Sequence, residues 1–404
     1  MMNRIENIFC GILRSSLSEK ELLDISGMSS EDWSSIYKIA WQNNLLPLLY
    51  CKLNSHKIPL PVALRTTLRT DYLVHEVRDM RRKKQLLELI RIFNDHNVNH
   101  ILLKGSHLAE KVYFNSALRP MCDIDVLIQK SEFKKTYEIL IQNGYVSSNA
   151  NYYDFDIYSI NGHYPCLVKA DCIPIELHWN IHELYNSKNI EDIWSRSESV
   201  SIGDLKTKVL SPEDILLHLS VHKGCDLFIS SFLVLNDINE ICSRHKIDWE
   251  KLLSLASSKD WWGNTKCLFS ALYLCDKLLG VSIPEHFLRK IQPADFNKKL
   301  LINQLFTGIG ADNYTYNAVS ALTKLILTLN PLLIFEYLMS PRKICRLYNR
   351  EYSWGILPYL YCKRIIEKSV ATFTVLTGFF KNSDMKKLYA ASKASSKFES
   401  WLKS

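Results

Sequence analysis

Asp123 and Asp125 stand one residue apart in Cys122-Asp123-Ile124-Asp125-Val126-Leu127-Ile128. In an extended strand that spacing puts both carboxylates on one face with Leu127, while Ile124, Val126 and Ile128 take the other. Neighbouring carboxylates repel and are costly to desolvate. A shared hard cation, Mg²⁺ or Mn²⁺, removes that cost. Upstream, Leu102-Leu103-Lys104-Gly105-Ser106 reads as the end of a buried strand running into Gly-Ser. Leu108, Ala109 and Val112 then recur at helical spacing, which predicts a short helix over 107–114. Gly105 and Ser106 at its mouth would offer backbone N–H groups and a positive helix end to a phosphate. A phosphate cradle beside paired aspartates is the equipment of metal-assisted phosphoryl or nucleotidyl transfer.

These residues belong to a longer ordered string. It runs Leu103-Lys104-Gly105, Tyr113, Leu118-Arg119-Pro120-Met121, Asp123-Ile124-Asp125, Gly144-Tyr145, His163, then Ile175-Glu176-Leu177-His178-Trp179. It resembles a bacterial family of uncharacterised nucleotidyltransferases, often found in biosynthetic gene clusters, within the superfamily of the DNA polymerase β type. The strong motifs cover residues 100–180, and weaker similarity runs along most of the chain. The resemblance implies a small mixed-sheet core with Asp123 and Asp125 holding two metal ions. It also requires a third carboxylate on a later strand. Residues 173–179 alternate, with Ile173, Ile175 and Leu177 on one face and Glu176 and His178 on the other, so Glu176 is the candidate. The resemblance implies that Glu176 completes the metal nearer the attacking hydroxyl and assists its deprotonation. Many members carry an apolar or Gly residue before Gly-Ser. Here Lys104 stands there, and it either adds charge for the triphosphate or caps the strand end.

Other side chains carry two readings each. Ser106 serves as a helix N-cap, as a phosphate ligand, or as both. Arg119 clamps a β- or γ-phosphate or forms a loop salt bridge. His163 and His178 match the family string; His178 shares the face of Glu176 and would orient it or touch the acceptor. His218 and His222 stand four apart on a helix, a spacing that can bind metal, but helix packing or acceptor contact fits them better without an acidic partner. Asp237 joins them as an acceptor-side residue. Asp154-Phe155-Asp156 repeats the Asp-x-Asp spacing without a Gly-Ser helix before it and reads as strand surface or substrate rim. The run Arg81-Arg82-Lys83-Lys84 reads as a solvated helix face rather than a nucleic-acid contact.

Stepping out from the site, the elements that must position it are an α+β core flanked by helices. The boundaries expected are 1–97 for an N-terminal helical region, 98–205 for the nucleotidyltransferase core, 206–295 for a helical domain beside the cleft, and 296–404 for a C-terminal helical region with a basic tail. Pro59-Leu60-Pro61 should precede a long helix with Leu64, Leu68, Leu73, Val77, Met80, Leu87, Ile90 and Phe93 on one side. A helix over 133–143 should end at Gly144. Residues 151–160 and 164–170 read as a hairpin around Asn161-Gly162. Ser211 and Pro212 open the next helical stretch. The segments 322–339 and 370–380 are apolar but read as helices against the body.

The chain has 404 residues and a formal charge of +8. Residues 341–404 hold thirteen Lys or Arg against four Asp or Glu, which leaves the remainder near neutral. A polymerase or general nucleic-acid binder would be basic across its core. Eleven dispersed cysteines without CxxC pairs predict reduced thiols and a cytoplasmic protein. No signal peptide or membrane span is expected, although the basic tail could rest on an anionic membrane surface. The function expected is transfer of an NMP from an NTP to a hydroxyl or phosphate, with release of pyrophosphate. The partners are an NTP and an unidentified acceptor, read as a small molecule, with no specific nucleic acid. The rivals are AMP transfer to a protein side chain of the toxin–antitoxin type, and a non-catalytic nucleotide-binding module.

Overall fold

A computed structural model describes residues 2–148, 166–181, 187–225, 228–229, 231–257, 265–306, 355–363 and 395–402. Two compact units divide the chain, Met1–Ile302 and Asn303–Ser404. The second unit's described residues are short helical pieces, in which Ser395 Oγ donates to Gln304 Oε1 at 2.7 Å. The segments 322–339 and 370–380, the Asp154–Asp156 repeat, His163 and most of the expected 151–170 hairpin lie outside the described residues.

The first unit is α+β, as the sequence predicts: a mixed sheet with helices before and after it. The opening helices are α1 (Arg4–Leu13), α2 (Glu19–Ser26), α3 (Ser30–Gln42), α4 (Leu46–Ser55) and α5 (Val62–Asp95). The first three begin with capping boxes in which Asn3, Ser18 and Ser29 exchange hydrogen bonds with Glu6, Glu21 and Asp32. Helix α5 starts directly after Pro61, because the prolines at 59 and 61 cannot continue α4.

The expected apolar stripe of α5 is not one buried face. Leu68, Ile90 and Phe93 are buried, but Leu73, Val77 and Met80 are exposed. At about 100° per residue, Leu73, Val77 and Met80 fall on the side opposite Leu64, so the stripe drifts round the helix. In the basic run at 81–84, Arg81, Lys83 and Lys84 are exposed, as a solvated face requires, and Arg82 alone departs from it. Arg82 is buried, donates from Nε and Nη2 to Asp79 and from Nη2 to Glu110, while Lys83 pairs with Glu110 at 3.3 Å. A buried guanidinium needs carboxylate partners, and the turns around it supply them.

Strand β1 (His100–Leu102) leads into α6 (Lys104–Lys111), which begins three residues earlier than its apolar spacing suggests. Strand β2 (Ile124–Ile128), helix α7 (Phe133–Gln142), and strands β3 (Val146–Ser147), β4 (Leu167–Val168) and β5 (Ile175–His178) follow. Gly144 ends α7 at φ 85°, as expected of a glycine after the last helical turn. Helix α8 (Ser187–Arg196) leads to the hairpin β6 (Glu198–Ile202) and β7 (Leu205–Val209). That hairpin adds two strands to the sheet, β6 within the expected 98–205 core and β7 running past its end; its signal was Gly203-Asp204 between two alternating runs, with Gly203 at φ 57°.

The described strands order as β3-β4-β5-β2-β1-β7-β6. β2 pairs antiparallel with β1 and parallel with β5, and β1 pairs parallel with β7. All five residues of β2 are buried, since both faces are covered. On one face Ile124, Val126, Ile128, Ile175 and Leu177 share a core with Leu86, Leu89, Ile90 and Phe93 of α5 and Leu140 of α7. The other face is left for Asp125, Glu176 and His178.

Helices α9 (Pro212–Cys225), α10 (Phe232–Arg244), α11 (Trp249–Ser257), α12 (Thr265–Leu274) and α13 (Glu285–Ile291) complete the helical run; α14 (Lys298–Leu305) continues past Ile302. Ser211 caps α9 as expected, accepting from the Asp214 amide at 3.2 Å. Gly224 of α9 lies so close to Cys267 of α12 that a Cβ there would collide with the Cys267 sulfur.

Candidate active site

The parallel pairing of β2 with β5 sets Asp125 opposite Glu176 and Leu127 opposite His178. Even residues of β5 therefore share the face of odd residues of β2. Asp125 Oδ1 accepts from Lys104 Nζ at 2.9 Å and from His178 Nε2 at 2.8 Å. His178 Nε2 also lies 3.5 Å from Glu176 Oε2. The ligating atoms of Asp125, Glu176 and His178 all lie within 4.8 Å of one another, close enough to hold one metal ion. Asp123 stands just before β2, half-buried, and lies outside that three-residue group. Its electrostatics still belong to it: burial first, then the Asp125 and Glu176 charges, push its carboxyl up to about 6.

The cluster polarises its members in opposite directions. Burial works against ionised Asp125, yet the His178 hydrogen bond and the Lys104 charge hold it well below the usual carboxylate range. The His178 hydrogen bond outweighs burial at Glu176, and a Cys166 Sγ–H donated to Oε1 at 3.2 Å adds to it, so Glu176 also stays ionised. Burial lowers His178, but its two carboxylate partners win and raise it. Burial opposes the Lys104 charge too, and Asp125 overcomes it.

Lys104 is thus an ion partner of Asp125 in this structure, and its backbone is unusual. Its φ of 42° lies in the left-handed region, where a non-glycine residue is strained. That turn lets Leu103 end the strand and α6 begin at once. Gly105 and Ser106 consequently sit inside the first helical turn and are buried. Met121 roofs them: a Cβ on Gly105 would meet Met121 and Arg119 Nη1 at 3.2 Å, and Ser106 Oγ lies 4.0 Å from Met121 Sδ.

Arg119 is engaged elsewhere. Its Nε and Nη2 donate to Asp237 of α10 at 2.9 Å, and Nη1 donates to the Pro120 carbonyl. Asp237 Oδ1 also accepts from Tyr113, whose hydroxyl takes a hydrogen bond from Asn236. Asp237, fully buried, is the counterion of Arg119; the acceptor-side reading of Asp237 gives way to this one because no free oxygen faces a cleft.

His218 of α9 is buried with Nε2 unpartnered. Burial first, then the Lys104 and His222 charges, hold it far below its ordinary value, so it is neutral. The charges of Asp125 and His178 also act on it. His222 stacks on it with ring centroids 6.2 Å apart. Cys166 is the residue that the sequence reading missed. The pairing of Leu167 with Ile175 puts its neighbour Cys166 on the face of Glu176, a consequence of register that no residue type announces.

A mixed sheet that gathers two carboxylates and an imidazole from adjacent parallel strands, with a lysine against them, defines an α+β enzyme core able to bind a cation beside an anionic substrate. The model of the family of uncharacterised nucleotidyltransferases matches residues 29–280, and the chain belongs to that family. It is a nucleotidyltransferase. No curated protein and no solved structure matches the chain. Among the described residues no helix is long and apolar enough to cross a membrane.

Proposed function

We propose that this nucleotidyltransferase has a core of the DNA polymerase β type and moves a nucleoside monophosphate from an NTP to a hydroxyl or phosphate of a small acceptor. The observation that carries the reading is the register of β2 on β5, which converges Asp125, Glu176 and His178 to within 4.8 Å. The donor set fits a divalent cation. Oxygen ligands suit Mg²⁺ or Mn²⁺, and the imidazole is compatible with Mn²⁺ as well. Asp125 and Glu176 would hold the ion, with His178 completing or orienting the set and Asp123 beside it. When bound, the ion neutralises phosphoryl charge and lowers the pKa of the attacking hydroxyl.

The chain's own groups then have defined tasks. Lys104, once its ammonium leaves Asp125, is placed to meet the triphosphate. Glu176 is already ionised and accepts the acceptor's proton at Oε2. The acceptor oxygen bonds to the α-phosphorus, the bond to the β-phosphate oxygen breaks, and pyrophosphate leaves. Neutral His218 offers a lone pair or an N–H to the acceptor. Arg119, tied to Asp237, positions the loop Pro120–Cys122 that delivers Asp123.

The test is pyrophosphate release from each NTP with Mg²⁺ and fractionated small-molecule extract, alongside nucleotide affinity. Glu176→Gln should bind NTP within a few-fold of wild type while release falls by about 100-fold or more, the mark of a group that acts in the transition state. A wild type that binds NTP, releases no pyrophosphate with any fraction, and behaves like Glu176→Gln would give way to the binding-module reading.

A further inference from the structure

On α5, His75, Arg78, Arg82 and Gln85 recur at helical stride, with Arg81 beside them. They form one wall of a cleft of about 320 Å³. The facing wall is the loop Arg119–Cys122 and the turn Asp171–Ile173. Cys122 of that loop is the chain neighbour of Asp123, whose Cα is about 3.8 Å further along the backbone.

The charges in this cleft are unbalanced. Four guanidinium groups line it, from Arg78, Arg81, Arg82 and Arg119, against the carboxylates Asp79 and Asp171. Asp79 is used up: one oxygen takes Arg82 and the other takes the Ser116 hydroxyl. Arg82 is only 4% exposed and fixed by Asp79 and Glu110, and its Nη1, without a hydrogen-bond partner among the described residues, is buried too. Arg78 and Arg81 are exposed and form no ion pair or hydrogen bond among the described residues. Two exposed guanidinium groups, three residues apart on one helix and set in a concave wall, suit the oxygens of a phosphate. The nearby Gly105-Ser106 helix end is roofed by Met121, and Met121 itself lines the cleft. The exposed guanidinium groups of this lining are those of Arg78 and Arg81.

We propose that this cleft binds a phosphate-bearing ligand through Arg78 and Arg81. Two sources share that chemistry: the distal phosphates of the nucleotide, and a phosphorylated acceptor. The binding itself does not depend on turnover, so its test stands apart from the test of nucleotidyl transfer.

Inorganic pyrophosphate is titrated calorimetrically into the full chain with chelator present. Three proteins are compared: wild type, Arg78→Ala/Arg81→Ala, and Arg65→Ala/Arg69→Ala as a charge-matched control on exposed turns of the same helix. Wild type and control should bind alike, and the cleft variant should bind at least 10-fold more weakly. Because Arg78 and Arg81 form no ion pair or hydrogen bond among the described residues, their removal should leave the melting temperature unchanged. Equal affinity in all three proteins, or no binding by wild type, overturns the proposal. A second titration with NTP and Mg²⁺ separates the sources. A parallel loss of NTP affinity in the cleft variant assigns the site to the nucleotide's phosphates. Retained NTP affinity with lost pyrophosphate affinity assigns it to a phosphorylated acceptor.

Discussion

Lys104 combines a strained backbone with a buried ion pair, and the two can be separated by substitution. Its φ of 42° is cheap only for glycine, and its ammonium sits 2.9 Å from Asp125. Lys104→Gly relieves the strain while removing the charge; Lys104→Ala removes the charge and keeps the strain. Both variants should lose NTP affinity about equally, because both lack the ammonium. Lys104→Gly should be the more stable of the two by about 1 kcal/mol, read from chemical denaturation. Equal stability would show that the turn is not strained. The sequence announced this residue only as a charge before Gly-Ser. Side-chain type and parity of spacing were enough to pair Asp125 with Glu176 and to put His178 on their face. They could not say that Asp123 would fall outside the tightest cluster, because it stands one residue before the strand, where register no longer holds it.

At the scale of elements, α6 and the Arg119 loop show what periodicity leaves out. The apolar spacing of Leu108, Ala109 and Val112 located α6 but not its start, which is set by the turn at Lys104. The same helix buries His107, whose Nδ1 has no partner and whose pKa is pushed down to about 3 by burial, then by His245 and Lys111. The unfolded chain protonates this imidazole near its ordinary 6.5, while the folded chain resists until about 3. A depressed folded-state pKa contributes stability that is present above 6.5 and is lost as pH falls toward 3. His107→Phe should therefore melt with a flatter pH dependence between pH 6.5 and 4 than wild type. An unchanged acid limb would rule out His107 as its source. The link between Arg119 and Asp237, from a loop to α10 across 118 residues, was invisible to local pattern. Asp237→Asn leaves a buried guanidinium without its counterion and should cost about 3–5 kcal/mol, whereas Arg119→Met/Asp237→Leu should recover much of the loss. A double variant as unstable as the sum of its singles would show that the pair has no mutual role.

At the scale of the whole molecule, charge and chemistry are divided between the two units. Met1–Ile302 contains 36 Lys or Arg and 36 Asp or Glu, so it is neutral, and the whole surplus of eight lies in Asn303–Ser404. Every residue placed at the site, and the core under the sheet, falls in the first unit, as does the family match over 29–280. The sequence showed this division as a basic tail after a near-neutral body, because charge is additive along the chain and needs no fold to be counted. The sheet's β6–β7 extension needed the fold, since a two-strand hairpin gains its identity from pairing with β1. A chain ending at Ile302 should accordingly unfold as one cooperative transition and bind NTP with Mg²⁺ within about two-fold of the full chain. It should also lose retention on a cation exchanger at neutral pH, because the net positive charge is gone. The apolar side chains that α14 presents, among them buried Leu301, make the cut residue matter, so a second chain ending at Leu305 serves as control. If both shortened chains fold but neither binds NTP, residues of the second unit are part of the nucleotide site, and the assignment of the chemistry to the first unit alone fails.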